Sequence, residues 1–341
     1  MKNIFISVIL ITVISFFIYF SSTKNEDLAK VYISQTVNHN ALDRTVDGIL
    51  DGLKQENYTE EKNIQLKIES AKGNQTLGIQ IANNFISKSP NVVVGVGTLS
   101  AQTLAGFSIK NNIPLVFSSI TDPKESGLVQ ENIFEIQTKN DSKNNINSIN
   151  HRKNITGVSN FIDLEEQVKL FQQIQPGLKR LGILYNPGEA NSVIIVKNLK
   201  KVCDDLNIKL TALAINNISQ ITQGTAKLLT NNDAIFISND NTALSALSNI
   251  IEMSKKKKIP VYVSDTDAVE LGALAALGPN QYDIGIQTGK MIAKILQGEN
   301  IENLSVEFPK NKELYLNMKI AEIMKIQFDE SLIKQASKII K

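Results

Sequence analysis

The sequence predicts an α/β protein built as two doubly wound parallel-sheet lobes. Three observations carry that prediction. Short apolar runs alternate with segments of helical spacing along most of the chain. One run, 91–97, is Val-rich without any polar alternation, as expected of a strand covered by helices on both faces. After a polar stretch at 138–153 the alternation begins again over a similar length, which gives two units rather than one. A chain of 341 residues has room for two domains of ordinary size.

The elements follow in order. Lys2 precedes an uncharged apolar run, 4–20, and Ser21-Ser22-Thr23 follows it. That is the pattern of a secretory signal peptide, at a length where an uncleaved membrane anchor is the alternative. Residues 1–25 are therefore read as signal peptide or anchor. No Cys follows the run, so the segment is not that of a lipoprotein. Residues 30–34 form a short apolar strand, and 42–56 place Leu42, Val46, Ile49, Leu50 and Leu53 at helical spacing. Strand 63–70 alternates Ile64, Leu66 and Ile68; helix 76–88, strand 91–97, helix 100–110 and strand 113–118 complete the first unit. Strand 154–159 opens the second. It continues with helix 165–174, strand 180–185, helix 191–206, strand 209–214, helix 219–229, strand 234–238 and helix 242–256. Strand 261–264, helix 268–271, strand 273–277 and helix 282–296 end it. The polar stretch 138–153 reads as a surface insertion, and Lys255–Lys258 as a solvated helix end.

Composition narrows the function. The chain is 42% hydrophobic and 21% charged, which describes a globular protein and excludes a disordered or multi-span one. A net charge of +2 offers no basic field for nucleic acid. A single Cys and two His exclude a disulfide and a Cys- or His-rich metal centre. The Gly95-Val96-Gly97 run lacks the third glycine of the dinucleotide fingerprint, and neither a phosphate loop nor a Gly-x-Ser-x-Gly elbow is present. Cys203 sits among apolar helix positions as a small hydrophobe, and His151 lies in the polar insertion. No cofactor and no enzymatic activity are expected.

Open parallel sheets bind ligands beyond the carboxyl ends of their strands. Five such ends carry hydroxyls, amides and carboxylates: Thr98 and Ser100; Thr121; Asn186 and Ser192; Asp240 and Asn241; Asp265 and Thr266. This ring suits a small zwitterion, with hydroxyls and helix N-termini for a carboxylate and Asp240 or Asp265 for an ammonium. Each of these residues is equally a good helix N-cap. Gln35 and His39, after the first strand, are second-rank candidates.

Several ordered stretches together resemble a known family. They include His39-Asn40-Ala41-Leu42-Asp43, Val94-Gly95-Val96-Gly97-Thr98, Thr121-Asp122-Pro123 and Asn154-Ile155-Thr156-Gly157-Val158-Ser159. Further along come Leu181-Gly182-Ile183-Leu184-Tyr185-Asn186-Pro187-Gly188, Asp240-Asn241-Thr242, Asp265-Thr266-Asp267 and Gln287-Thr288-Gly289. The chain is similar to the ABC-transporter substrate-binding proteins that include tryptophan- and tyrosine-binding members. The resemblance implies a type I periplasmic-binding fold whose two lobes are joined by a three-segment hinge. Lobe 1 would comprise 26–153 plus about 279–306, and lobe 2 would comprise 154–278 plus about 307–341. With the N-terminal apolar segment it points to an exported protein, in the periplasm or at the outer face of the cytoplasmic membrane, and a monomer is expected because the sequence shows no coiled-coil heptads or evident partner helix. That protein captures a small molecule, an amino acid and in some relatives an aromatic one, and delivers it to an ABC permease. A ligand-sensing module docking to a membrane receptor without transport is the alternative. The chain departs from the family in lacking the lipid-bearing Cys, in its polar segment before residue 154, and in having no Trp to stack on an aromatic ligand.

Overall fold

The computed structural model describes residues 28–60, 62–129, 153–161 and 163–341. The leader, the polar stretch apart from Lys153, and His151 lie outside the described residues.

The first sheet is wholly parallel. Its strands are β1 (Ala29–Gln35), β2 (Ile64–Ser70), β3 (Val92–Val96), β4 (Leu115–Ile120) and β5 (Ile155–Ser159), in the order β2-β1-β3-β4-β5. Helices α1 (Asn40–Gln55), α2 (Gln75–Ile86) and α3 (Thr98–Asn111) connect the first four strands. The Val-rich reading of β3 has a direct cause. Val92, Val94 and Val96 pack with Leu42, Val46, Ile49 and Leu53 of α1, whereas Val93 packs on the opposite face with Phe85 and Leu104. A strand with no solvent face cannot alternate with polar residues.

The sequence reading starts the second lobe at residue 154, but β5 is hydrogen-bonded to β4 as the last strand of the first sheet. Glu307 also rides on that sheet, donating its N–H to the Gly157 carbonyl and accepting from the Ser159 N–H, each at 2.9 Å. The first crossing between lobes is therefore near Asn160, after β5.

The second sheet runs β12-β11-β10-β9-β8-β6-β7. Its strands are β6 (Arg180–Tyr185), β7 (Lys209–Ala214), β8 (Ala234–Ile237), β9 (Val261–Val263), β10 (Ala275–Gly278), β11 (Glu313–Asn317) and β12 (Lys338–Ile340). All neighbours are parallel except β10 and β11. One face is covered by α4 (Leu164–Ile174) and α5 (Ala190–Asp205), the other by α6 (Ile221–Asn231) and α8 (Leu247–Lys257). The expected helix 242–256 is broken into α7 (Asn241–Leu244) and α8, and the expected helix 268–271 is a 3-10 turn at Thr266–Val269. The antiparallel β11, helices α10 (Met318–Met324) and α11 (Glu330–Gln335), and β12 close the far edge of this sheet. Cys203 is fully buried in the α4–α5 core, as its sequence neighbours suggest, and burial pushes its thiol up to about 12.

Helix α9 (Gln281–Leu296) follows β10 but returns to the first lobe, where Ile284, Met291 and Ile292 complete the core under α1. The two helices cross on glycines. A Cβ on Gly48 would stand 2.1 Å from the Tyr282 carbonyl oxygen, and one on Gly285 would stand 2.2 Å from that of Thr45. Three crossings thus join the lobes: near Asn160, at Pro279-Asn280, and between Leu304 and β11.

Candidate ligand cleft between the lobes

The carboxyl ends of both sheets face each other across a narrow polar space. From the first lobe it is lined by His39, Thr98, Ser119, Thr121 and Gln281. From the second it is lined by Asn191, Asn239 and Asn241, with Asn160 at the crossing. The space at the centre is about 20 Å³, room for one water molecule. The lobes therefore stand closed on one another.

Local structure explains each position. His39 caps α1: its Nδ1 accepts the Leu42 N–H at 3.4 Å. That leaves the proton on Nε2, which donates across the cleft to Asn241 Oδ1 at 3.1 Å. Burial holds the imidazole below its ordinary pKa, so the neutral form is favoured. Asn239 Nδ2 makes a second cross-lobe bond, to Thr121 Oγ1 at 3.4 Å. Arg44 and Asp267 face each other at the rim, 3.5 Å apart. Thr98 opens α3, whose Gly97 N-cap supplies no side-chain acceptor. Gly97 has φ +83, and a Cβ there would lie 2.7 Å from Thr36 Oγ1, so this close approach requires glycine.

Ser119 is the strained residue of the cleft. It has φ +56, in the left-handed region, where β4 shifts register between Ser118 and Ile120. Its hydroxyl lies 3.0 Å from Thr45 Oγ1 and donates to Gln281 Oε1 at 2.8 Å, tying β4 to α1 and α9. Asn160 is 4% exposed and its Oδ1 has no hydrogen-bond partner.

Of the residues singled out in the sequence, Thr98, Thr121, Asn241 and His39 reach this space. The others are absorbed by their own lobes. Ser100 accepts from Ser34 Oγ at 3.1 Å, and Gln35 donates to the Val37 carbonyl and to Asp43. Asn186 donates its amide to Thr242 Oγ1 at 2.8 Å, and Ser192 is buried against Asn191. Thr266 is fully buried with its hydroxyl unpartnered. Asp240 caps α7, accepting from the Ala243 N–H at 2.7 Å and the Asn186 N–H at 2.6 Å. Burial, then the nearby Glu189, pushes it up to about 6. Asp265 caps the 3-10 turn and is pushed up to about 7 by burial and by Asp267. Neither carboxylate lines the polar space, and among the described residues no acidic side chain does.

Sequence reasoning missed Glu189. Its carboxylate accepts four bonds from the start of α7: Asn241 N at 2.9 Å, Asn241 Nδ2 at 2.6 Å, Thr242 N at 3.0 Å and Thr242 Oγ1 at 2.8 Å. Glu189, Asn241, His39 and the α1 N-terminus thus form one continuous chain of oriented bonds across the cleft. Asp122 was also passed over. It lies beside Thr121 at the cleft mouth, with Oδ1 accepting the Glu125 N–H at 2.9 Å, and burial raises its pKa above the usual carboxylate value.

Comparison with known proteins agrees with this architecture. Residues 30–340 match the family model described as ABC transporter substrate binding protein. A tyrosine-binding protein of Clostridioides difficile is 25% identical over 310 residues, covering 90% of this chain and 85% of that protein. An ABC domain from Streptococcus pneumoniae, solved in complex with L-Trp, superposes with a TM-score of 0.83 at 28% identity, over 92% of this chain and all of that one. A ligand-free, open substrate-binding protein from Clostridium difficile has 25% identity over the same shares of the two chains, with a TM-score of 0.65. The better superposition on the ligand-bound relative accords with the closed cleft. Among the described residues, no helix is long and apolar enough to cross a membrane.

Proposed function

The chain belongs to the family of ABC transporter substrate-binding proteins, and from that premise we propose that it captures a free amino acid between its lobes and delivers it to an ABC permease. The family works outside the cytoplasm. By the same reading this member is exported, works as a monomer and leaves its cargo chemically unchanged.

The observation that carries the amino-acid reading is the character of the cleft mouth. Neutral donors line its centre, an acidic group stands at its edge, and a buried acceptor has no partner. A carboxylate fits against the hydroxyls of Thr98, at the start of α3, and of Thr121 across from it, where the helix dipole favours negative charge. An ammonium fits between Asp122 and the unpartnered Oδ1 of Asn160. Asp240 and Asp265, committed to capping, do not take that role. The Trp-bound and tyrosine-binding relatives support the same class of cargo.

Closure follows from where the groups sit. Thr98, Ser119 and Thr121 belong to one lobe, and Asn191, Asn239 and Asn241 to the other. A ligand touching both gains contacts only when the lobes meet, so it shifts the equilibrium toward the closed form.

The test is isothermal titration of the full chain with the twenty amino acids, repeated with Asp122→Asn. The substitution should weaken the bound amino acid about 10- to 100-fold, since a hydrogen bond to a charged group contributes roughly 1.5–3 kcal/mol. The unfolding temperature should stay unchanged. Undiminished affinity in Asp122→Asn would remove the ammonium assignment.

A further inference from the structure

One ion pair joins the lobes outside the polar centre. Arg44 lies in the second turn of α1, and its Nε stands 3.5 Å from Oδ2 of Asp267, on the 3-10 turn that follows β9. Among the described residues, no other ion pair runs between an element of the first lobe and one of the second. Neither residue lines the polar space.

Each partner is set up by its own lobe. The Arg44 guanidinium lies over the Tyr282 ring, 4.8 Å from its centroid, and Tyr282 donates its hydroxyl to Asp51 Oδ2 at 2.6 Å. Tyr282 is in the first turn of α9, so the platform under Arg44 belongs to the α1–α9 crossing at Gly48 and Gly285. Opposite it, Oδ2 of Asp267 is buried without a hydrogen bond, which leaves the guanidinium as its one ion-pair partner among the described residues. Asp267 repels the buried Asp265 carboxylate and Arg44 attracts it. Bringing the lobes together therefore sets one cation against two acidic groups that otherwise repel each other. The Arg44 side chain is 41% exposed, so dissolved ions reach the pair and screen it. The other cross-lobe bonds, His39 to Asn241 and Asn239 to Thr121, join neutral groups and respond little to salt.

We propose that Arg44 and Asp267 form an electrostatic latch, which holds the lobes together without touching the ligand and makes closure sensitive to ionic strength. On the binding reading above, a weaker latch means weaker capture, because the ligand must then supply more of the closure itself.

The experiment needs no ligand. Gln75→Cys and Ile218→Cys place a donor and an acceptor dye just past β2 and β7, the sheet edges farthest from β5 and β10, where the chain leaves each lobe. Cys203 is buried and stays unlabelled. Single-molecule energy transfer on the full chain then reads the ratio of closed to open molecules. Raising salt from about 0.02 M to about 0.5 M should lower that ratio in the wild-type background about 2- to 5-fold, the range of a partly exposed ion pair. Arg44→Gln and Asp267→Asn should lower it by a similar factor at low salt and lose the salt response, whereas Arg44→Lys should keep the response. If Asp267→Asn folds poorly, Arg44→Gln, at a half-exposed side chain, decides. A wild-type ratio that salt does not move, one unmoving population in every sample, or a salt response that survives in Arg44→Gln overturns the latch. Failure of the amino-acid reading shows separately, as no heat on titration with the twenty amino acids.

Discussion

Replacing Asp265 by Asn should remove the larger of two contributions by which the second lobe weakens with rising pH, leaving that of Asp240. Asp265 is buried at the carboxyl end of β9, and its carboxylate accepts only the Asp267 N–H, at 3.3 Å. Burial and the charge of Asp267 raise it to about 7, against the backbone bond and the more distant Arg44, which lower it. In the unfolded chain it titrates near 4. The folded state therefore holds the proton more tightly. The contribution of this group to stability is greatest below about pH 4, falls as pH rises, and levels off above about 7. At about 1.4 kcal/mol per pH unit, the gap between about 4 and about 7 amounts to about 4 kcal/mol. Asn keeps the acceptor oxygen and never ionises. Thermal melts at pH 4 and pH 8 read the difference, because 1 kcal/mol moves the midpoint roughly 2–4 °C in a unit of this size. Asp265→Asn should melt about 8–16 °C above wild type at pH 8 and level with it at pH 4. Parallel midpoint curves for the two proteins would show that Asp265 is ionised without penalty, and the reasoning would fail.

Two further predictions test the scaffold of the cleft. Glu189→Ala strips four acceptor contacts from the start of α7 and should lower stability by about 2–4 kcal/mol, read by urea titration. It should also weaken ligand binding, because Asn241 loses the partner that orients it toward His39; a stability change below about 1 kcal/mol would deny Glu189 this role. Gly285→Ala places a Cβ against the Thr45 carbonyl and should cost about 1–3 kcal/mol or more as α1 and α9 part, with an unchanged melting midpoint the contrary result.

The central strands were legible because β3 and β4 are buried on both faces, and burial of that kind leaves an unbroken apolar run. The placement of β5 was not. A short strand carries no record of its partner, and the turn into it follows a long polar segment in the sequence. β11 and β12 were missed for a related reason: β12 is a three-residue, half-exposed edge strand, and both are short elements whose pairing, not whose composition, makes them strands. In the cleft, strand-end position identified Thr98, Thr121 and Asn241. It could not tell a ligand-facing carboxylate from a cap, because Asp240 and Asp265 satisfy backbone N–H groups three and two residues ahead, respectively. Glu189 hid in a Pro-Gly turn, and its partners are some fifty residues away in the sequence, on a helix of four residues.

The return of α9 to the first lobe has a consequence for the order in which the molecule can be completed. During synthesis the N-terminal strands emerge first, yet the face of β1 and β3 that packs on α1 lacks its second helix until residue 296 has appeared. The N-terminal half cannot finish folding ahead of the C-terminal half; both lobes become whole almost together, after the chain has threaded between them. A fragment ending before residue 281 should expose apolar surface and fail to melt cooperatively, although it contains every strand of the first sheet.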